Sequence, residues 1–346
     1  MIRAAPLVLA GFIAGLTLAE GVCRLLPGFR LARYAHHFGP GLQDHPSYRP
    51  DPLLGYVHVP GAATAWGGRP TNSLGLVNPE YPLAKAPGVK RLLVLGDSIV
   101  EHGAFTEELQ RLLGGRWEVW NAAVGGWNAA QYARLLDTKG DEWAPDFVLI
   151  GFCLNDFTFD IPVIYKGEGG KAAVYAWMAE DEFKKQLSHD VAPWARPLQS
   201  PWLLVHSALY RVALAAFQGR EREALPMDER YRRSGTAEVA RMKAWASSRG
   251  VPVAAVMFPY LQRPQELARL MRIETEVMPG VLTASGLPWL DATPLLAKPE
   301  PKAWRMSPGD WIHPSVEGQR VVARETYRFI ERLGWLDRSS TARRGT

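Results

Sequence analysis

The sequence predicts an α/β fold in which a parallel sheet is covered by helices on both faces. Three short apolar runs, each long enough for one strand, lie at Arg91–Gly96, Trp117–Val124 and Phe147–Cys153. Stretches with helical spacing separate them, at Ala104–Leu113 and Ala129–Asp137. Strands that are apolar throughout, rather than at alternate residues, are typical of parallel sheets buried on both faces.

The same alternation resumes in the last third of the chain. It predicts a helix at about 236–248, a strand at Val251–Phe258, a helix near 264–277, a short strand at Pro288–Asp291 and a last helix at about 315–333. Ser315 has the side chain of an N-cap for this last helix. Residues 157–234 contain no strand as clear as the others, and a structureless loop of that length is improbable inside a compact domain. We therefore predict a mostly helical insertion there.

The remaining segments complete the predicted domain organisation. Residues 28–88 are rich in Pro, Gly and His and lack a sustained period, which predicts an irregular lead-in packed on the domain. The main domain then spans 89–336. The polar residues 337–346 predict a disordered tail. Residues 1–27 form a separate apolar leader.

We interpret this leader as a membrane anchor or a signal peptide, and the alternative is a buried helix of a soluble protein. Residues 4–26 carry charge only at Glu20 and Arg24. About 20 apolar residues cross a bilayer, so an uncleaved leader is long enough to hold the protein in a membrane. The small residues Thr17 and Ala19 also fit a cleavable signal. An anchor and a signal peptide both place the domain outside the cytoplasm, either anchored and facing the periplasm or extracellular side, or secreted.

Charge and cysteine content argue against several other classes of protein. The net charge of +5 is small for 346 residues, and the densest basic run, 220–233, is interleaved with acidic residues. This pattern indicates a solvated face rather than a nucleic-acid-binding one. Cys23 and Cys153 have no zinc-type spacing. Because there is also no Walker loop or dinucleotide fingerprint, we expect neither metal nor cofactor. The oligomeric state stays open.

Polar or small residues follow each of the first three predicted strands. Ser98 ends a Gly96-Asp97-Ser98 sequence after the first strand, Gly126 follows the second, and Asn155 follows the third. In open parallel sheets, ligands bind at the carboxyl ends of the strands. Each residue also has an ordinary structural explanation, as a helix cap, a glycine turn or an Asx turn.

A further pair precedes the last helix, where Asp310 lies three residues before His313. An aspartate at this spacing can orient the imidazole, and the imidazole can accept a proton from a serine hydroxyl. Six other histidines lack comparable neighbours and are set aside: His36, His37, His45, His58, His189 and His206.

In this order, the motifs resemble those of the GDSL/SGNH hydrolase superfamily. The matches are Gly96–Ser98, Gly126, Asn155 with Asp156, and Asp310 with His313. The resemblance covers roughly residues 90–157 and 235–332. The sequence Asn72-Ser73-Leu74-Gly75 in the lead-in resembles the bacterial exported or membrane-anchored branch. The resemblance implies a flavodoxin-like three-layer α/β/α sandwich that hydrolyses esters.

It also implies a role for each site residue. Ser98 would be the nucleophile, His313 the general base and Asp310 the residue that fixes the tautomer of His313. The backbone N–H groups of Ser98 and Gly126, with the side chain of Asn155, would form the oxyanion hole.

Some positions depart from the family pattern. Cys153 stands where the third block usually has glycine, and it would either crowd the site or tune it. Ala123 replaces an earlier glycine of the second block, which we expect to be harmless. Glu101 and His102 follow the serine but lie outside the catalytic set, and we interpret them as residues of the cleft wall.

The substrate is inferred only by analogy with the family. We expect removal of an acyl group, and specifically acetyl, from a cell-envelope or extracellular carbohydrate. The alternatives are a lipase- or lysophospholipase-like esterase, an O-acyltransferase, and a catalytically idle glycan-binding module. No Gly-x-Ser-x-Gly elbow occurs, which argues against an α/β-hydrolase.

Overall fold

The structure is a computed structural model, and the chain in it divides into two compact units. It describes residues 5–25, 47–64, 69–158, 160–166, 173–179, 201–213 and 226–336. One unit comprises Met1–Tyr56 with Asp160–Pro226, and the other Val57–Phe159 with Met227–Thr346. The predicted lead-in up to residue 46 and the predicted tail at 337–346 lie outside the described residues.

The elements below are numbered in chain order. The strands are β1 (Tyr48–Asp51), β2 (Gly55–His58), β3 (Lys90–Gly96), β4 (Trp117–Asn121), β5 (Phe147–Cys153), β6 (Asp160–Lys166), β7 (Ala173–Ala179), β8 (Val253–Phe258) and β9 (Trp289–Asp291). The α-helices are α1 (Ala5–Leu25), α2 (Ser98–Glu101), α3 (Ala104–Leu113), α4 (Ala129–Trp143), α5 (Pro201–His206), α6 (208–213), α7 (Met227–Ser248), α8 (Arg269–Ser285), α9 (Thr293–Leu296) and α10 (Val316–Arg332). Short 3₁₀ turns lie at Pro264–Glu266 and Pro301–Trp304.

The second unit is built on a parallel sheet with strand order β4-β3-β5-β8-β9. Strands β4 and β5 lie on opposite sides of β3, so the connection from β3 to β4 and the connection from β4 to β5 cross the sheet in opposite directions. Because such crossovers are right-handed, α3 and α4 lie on opposite faces of the sheet. Helix α10 packs on α3, while α7 packs on α4 and α8. The prediction of a parallel sheet covered on both faces is therefore confirmed.

The centre of this sheet is the core of the unit. In β3, Leu92 to Leu95 are fully buried, and so are Val148, Leu149 and Ile150 of β5. This burial on both faces explains why these strands are continuously apolar in sequence. The predicted cap of the last helix is also confirmed, because the Ser315 side chain accepts a hydrogen bond from the Gly318 N–H.

The first unit contains a feature that the sequence interpretation did not anticipate. Strands β6 and β7 pair as an antiparallel hairpin within the predicted helical insertion. Their β-branched and aromatic residues favour strands, but Pro162 weakens the strand pattern of β6. A two-stranded ribbon tolerates a proline because both of its strands have a free edge. Helices α5 and α6 follow, and much of the insertion lies outside the described residues, where helical structure stays a prediction.

The N-terminal helix α1 is the other main element of this unit. Its residues Pro6–Leu25 are long and apolar enough to cross a membrane, by length and composition. A signal sequence near the N-terminus has the same properties.

Candidate active site

Ser98 lies at the carboxyl end of a central strand and is the first residue of α2. The preceding residue, Asp97, caps this helix, since its Oδ1 accepts a hydrogen bond of 3.0 Å from the Ile99 N–H. Capping fixes the start of the helix, and with it the direction of the serine side chain. Ser98 is only 5% exposed.

Two glycines let this short helix lie directly on the sheet. Gly96 of β3 and Gly151 of β5 are partners in register. A Cβ atom built on either glycine would lie 2.5 Å from Cγ2 of Val100, which is too close for real atoms. The glycine inside the apolar run of β5 was a sequence signal for this close approach, and the sequence interpretation did not use it.

His313 lies against Ser98 on one side and Asp310 on the other. The Ser98 Oγ and His313 Nε2 are 2.8 Å apart. The His313 Nδ1 lies 2.9 Å and 3.0 Å from the two carboxylate oxygens of Asp310. Because a carboxylate only accepts hydrogen bonds, Nδ1 carries a proton, and the other ring nitrogen, Nε2, faces the serine hydroxyl.

The loop that carries Asp310 and His313 is fixed by hydrogen bonds within the loop and by hydrogen bonds that involve Leu261. Asp310 Oδ1 also accepts from the backbone N–H groups of Ile312 and His313, at 3.0 Å and 2.9 Å. The Leu261 N–H donates to the Trp311 carbonyl at 2.8 Å. The Arg305 guanidinium in turn donates to the Leu261 carbonyl at 2.7 Å. The aspartate therefore shapes the turn as well as orienting the imidazole.

Two backbone N–H groups at the strand ends are available to bind an anion. The Ser98 N–H is at a helix start, where no intrahelical acceptor exists. Gly126 has φ of +77°, a conformation that favours glycine. Neither N–H has an acceptor among the residues that the structure describes. The segment that leads to Gly126 is hydrogen-bonded to the strand that leads to Ser98, since the Val124 N–H donates to the Gly96 carbonyl at 3.2 Å.

Asn155 lies in the turn that follows β5. Its Oδ1 is buried and has no partner in the described part of the chain, and its side-chain N–H₂ has no acceptor there either. Asp156 closes the turn, because its Oδ2 accepts from the Cys153 N–H and the Tyr132 hydroxyl, both at 2.9 Å. Neither Gly126 nor Asn155 hydrogen-bonds to Ser98.

Several acidic groups in this unit are buried. Burial raises the pKa of Asp97 to about 6, although the nearby His313 lowers it. Burial also raises the pKa of Glu274 to about 7 and that of Asp156 well above its usual range. The Cys153 thiol has a strongly raised pKa for the same reason and is 1% exposed, so it stays protonated within the core.

The structure corrects the interpretation of Glu101 and His58. Glu101 does not line a cleft: its side chain is fully buried and its Oε1 lies 2.9 Å from Nε2 of His58. The other ring nitrogen of His58 faces the Gly75 carbonyl at 3.2 Å. His58 thus joins the Asn72-Ser73-Leu74-Gly75 loop to the helix that carries Ser98. The contact depends on the path of an irregular segment, which periodicity does not reveal.

Asn121 is a second residue that sequence reasoning missed. Its side-chain N–H₂ donates to the Val100 carbonyl at 2.9 Å and to the Thr106 hydroxyl at 3.1 Å. It therefore holds the end of α2. His102, at the end of the same helix, is partly buried, and its Nδ1 has no partner in the described ranges. Burial and the neighbouring His313 lower the pKa of His102.

The described residues contain no group of three His, Cys, Asp or Glu side chains placed to hold a metal ion. What they assemble is a serine, an imidazole and a carboxylate in series. A family model described as GDSL-like lipase/acylhydrolase matches residues 94–321. The chain belongs to this family. As a GDSL-like acylhydrolase, it is an enzyme that hydrolyses ester bonds.

Solved structures similar to this GDSL-like hydrolase have low sequence identity to it. An alpha/beta hydrolase enzyme from the metagenome of Lake Arreo, Spain, is 15% identical, with 74% of this chain and 99% of that chain covered and a TM-score of 0.41. A variant of an acetyl xylan esterase from Geobacillus stearothermophilus is 15% identical, with 70% and 94% covered and a TM-score of 0.42. A lipase/acylhydrolase from Enterococcus faecalis is 13% identical, with 71% and 97% covered and a TM-score of 0.41. Among curated proteins, none matches the chain.

Proposed function

We propose that this GDSL-like hydrolase cleaves esters through an acyl-enzyme formed on Ser98. The observation that carries the proposal is the continuous contact from the Ser98 hydroxyl through His313 to Asp310, at 2.8 Å and 2.9 Å. A serine is a weak nucleophile until an adjacent base removes its proton, and the base in turn needs a third group to orient it.

In the first half of the reaction, Ser98 Oγ attacks the ester carbonyl while its proton moves to Nε2 of His313. The imidazolium that forms is stabilised by the Asp310 carboxylate. The tetrahedral intermediate then breaks its bond to the alkoxy oxygen. His313 returns the proton to that oxygen, the alcohol leaves, and the acyl group remains on Ser98.

In the second half, water repeats the same steps. His313 accepts a proton from water as the water oxygen attacks the acyl carbon. The bond to Ser98 Oγ breaks, His313 protonates that oxygen, and a carboxylic acid is released. The enzyme returns to its starting state with no other reactant consumed.

Negative charge develops on the carbonyl oxygen in both tetrahedral intermediates. We assign its stabilisation to the backbone N–H groups of Ser98 and Gly126 and to the side-chain N–H₂ of Asn155. The support for this is that none of these donors has an acceptor among the described residues. Donors that are fixed before the reaction need no reorganisation in the transition state.

For the substrate, we propose an acyl group, and specifically acetyl, on a carbohydrate of the cell envelope or the extracellular space. The support is the apolar helix α1, since a signal peptide, or an anchor that faces the periplasm or the extracellular side, would deliver the domain outside the cytoplasm. The esters that it meets there are those of envelope and extracellular polymers.

The test is hydrolysis of p-nitrophenyl acetate and of a long-chain p-nitrophenyl ester by the full chain in detergent. Ser98→Ala is compared with Ser247→Ala, a matched control at an exposed position in α7. The proposal expects activity in wild type and Ser247→Ala, its loss in Ser98→Ala, and a preference for acetate. A preference for the long chain would indicate a lipase-like esterase. Release of p-nitrophenol only when a sugar acceptor is added, with the acetyl group recovered on the sugar, would indicate a transferase.

A further inference from the structure

Helix α1 carries two charged residues, one helical turn apart near its end. Arg24 Nε donates to Glu20 Oε1 at 2.7 Å. Such an i,i+4 pair on an exposed helix contributes little by itself. Here, however, both side chains also contact a segment of the insertion that is nearly two hundred residues away in sequence.

The Glu20 carboxylate accepts three hydrogen bonds from the start of α6. The Ala208 N–H donates to Oε1 and the Leu209 N–H donates to Oε2, both at 2.8 Å. The Ser207 hydroxyl donates to Oε2 at 2.9 Å. N–H groups in the first turn of a helix have no intrahelical acceptor. The Glu20 carboxylate is the acceptor for two of them here, as the side chain of an N-cap residue is in other helices.

Arg24 completes the contact on the neighbouring helix. Its Nη2 donates to the His206 carbonyl at 2.6 Å, at the last residue of α5. Between the two charged residues, Cys23 is buried. The last turns of α1 are therefore joined to the junction between α5 and α6. We call the contacts of Glu20 and Arg24 with residues 206–209 the helix joint.

The rest of α1 is apolar, and the described residues leave it uncovered. Leu7 is 76% exposed and Phe12 is 64% exposed. At 1.5 Å per residue, the 20 residues of Pro6–Leu25 are about 30 Å long, which matches the hydrocarbon thickness of a bilayer. Glu20 and Arg24 lie in the last two turns of this helix, at the end of the span, and the helix joint supplies the partners that charged residues need there. The occupant that fits this face is lipid.

We propose that α1 is retained as a membrane anchor and that the helix joint holds residues 201–213 of the insertion at the membrane surface. The helix continues unbroken through Thr17 and Ala19 to Leu25, so a signal-peptidase cut after Ala19 would sever it directly before the joint. Trp202 of α5 is 61% exposed, although its ring packs on that of His206 at 4.9 Å. An exposed tryptophan beside the end of a span is typical of the interface between lipid and water.

Retention is tested on the full chain, produced with a C-terminal tag in a Gram-negative host. Membranes are washed with alkaline carbonate, and the extracted protein is sequenced from its N-terminus. The proposal expects the protein in the washed membranes, beginning at Met1 or Ile2. A mature chain that begins at Glu20 or later would overturn it.

The helix joint is tested by hydrogen exchange of the full chain in lipid nanodiscs. Glu20→Ala removes the acceptor of the Ala208 and Leu209 N–H groups, so exchange at 207–210 should rise at least about tenfold. Ser207→Ala removes the hydroxyl that donates to Glu20 and accepts from the Tyr210 N–H at 3.0 Å, but it leaves the acceptor of Ala208 and Leu209 in place, so exchange should rise mainly at Tyr210. Thr17→Ala is the matched control, because its hydroxyl bonds within α1, to the Ile13 carbonyl. Exchange in Glu20→Ala equal to that in Thr17→Ala would contradict the joint.

These readouts do not depend on catalysis. Ester hydrolysis by Glu20→Ala in detergent should match that of wild type, because the residue belongs to the other unit from Ser98. Failure of the proposed esterase activity would leave both tests of the anchor valid, and cleavage of the anchor would leave the esterase tests valid.

Discussion

The two sides of the candidate active site are held by different kinds of structure. Ser98 follows a central strand of a parallel sheet, with Gly96 against Gly151 and a buried helix above them. Asp310 and His313 lie in a loop fixed by hydrogen bonds, many of them made by Asp310 to residues two and three positions later, and one made by the distant Leu261.

This difference predicts different responses to mutation. The position of Ser98 is set by the packing of the core. Substitutions of the residues that pack around it should therefore change the stability of the protein and the geometry of the site together. On the histidine side, a single carboxylate sets the local turn and the tautomer of the imidazole. Its replacement should change activity with little change in stability.

The largest expected effect comes from Ser98 itself. Ser98→Ala removes the nucleophile and should lower kcat by on the order of 10⁶-fold, as nucleophile removal does in serine hydrolases. The free energy of unfolding should change little, because one hydroxyl is lost. Single-turnover kinetics and thermal unfolding measure both quantities. Residual acyl transfer in the variant at more than a trace level would mean that another group is the nucleophile.

Asp310→Asn tests the histidine side. The amide oxygen can still accept from the backbone of the turn, so the loop should keep its shape. The side-chain N–H₂ would donate to Nδ1 of His313 and favour the wrong tautomer, with a loss in kcat of about 10⁴-fold. A crystal structure and steady-state kinetics check the two halves of this prediction. A comparable loss of stability would contradict the proposed local role of the loop.

Asn155→Ala removes one proposed oxyanion donor on the strand-end side. We expect kcat to fall by about 10²–10³-fold with KM nearly unchanged, since the interaction strengthens only as charge develops. Asn128→Ala is a useful contrast, because Asn128 is also an amide at a strand-to-helix turn but is a helix cap. Wild-type kcat in Asn155→Ala would remove this residue from the oxyanion hole.

Glu101→Ala tests how much the buried contact between Glu101 and His58 contributes to the stability of the region around Ser98. Removing one partner of a fully buried hydrogen bond costs about 1–3 kcal/mol, because the other polar group is left without its partner. The double variant with His58→Ala should lose less than the sum of the single losses. Chemical denaturation of the four proteins gives the coupling energy. Additive losses would show that the pair does not link the lead-in to α2.

The smallest effect that we expect is a pH-dependent one at Asp97. Burial raises its pKa from the ordinary 3.8 to about 6, so the folded protein binds this proton more tightly than the unfolded chain does. The contribution of Asp97 to stability should therefore fall as pH rises from about 4 to 6, by about 3 kcal/mol at most. Asp97→Asn keeps the cap and removes this dependence. Parallel stability curves for the two proteins across this window would contradict it.

Periodicity alone was enough to predict the sheet, because β3, β4 and β5 are buried on both faces. The 3-residue spacing of Asp310 and His313 made their contact predictable as a local event. The contact of Ser98 with His313 spans 215 residues and followed only from the family pattern. The contact of His58 with Glu101 was not predictable, since it depends on how an irregular segment crosses α2. The catalytic roles of the site residues stay predictions.

The central claim is that Ser98 is the nucleophile activated by His313, and covalent labelling tests it most directly. The full chain is treated with a fluorophosphonate, and the modified peptide is mapped by mass spectrometry. The account predicts one label, on Ser98, that forms rapidly in wild type and very slowly in His313→Ala. A label on another residue, or equal labelling rates in the two proteins, would contradict it.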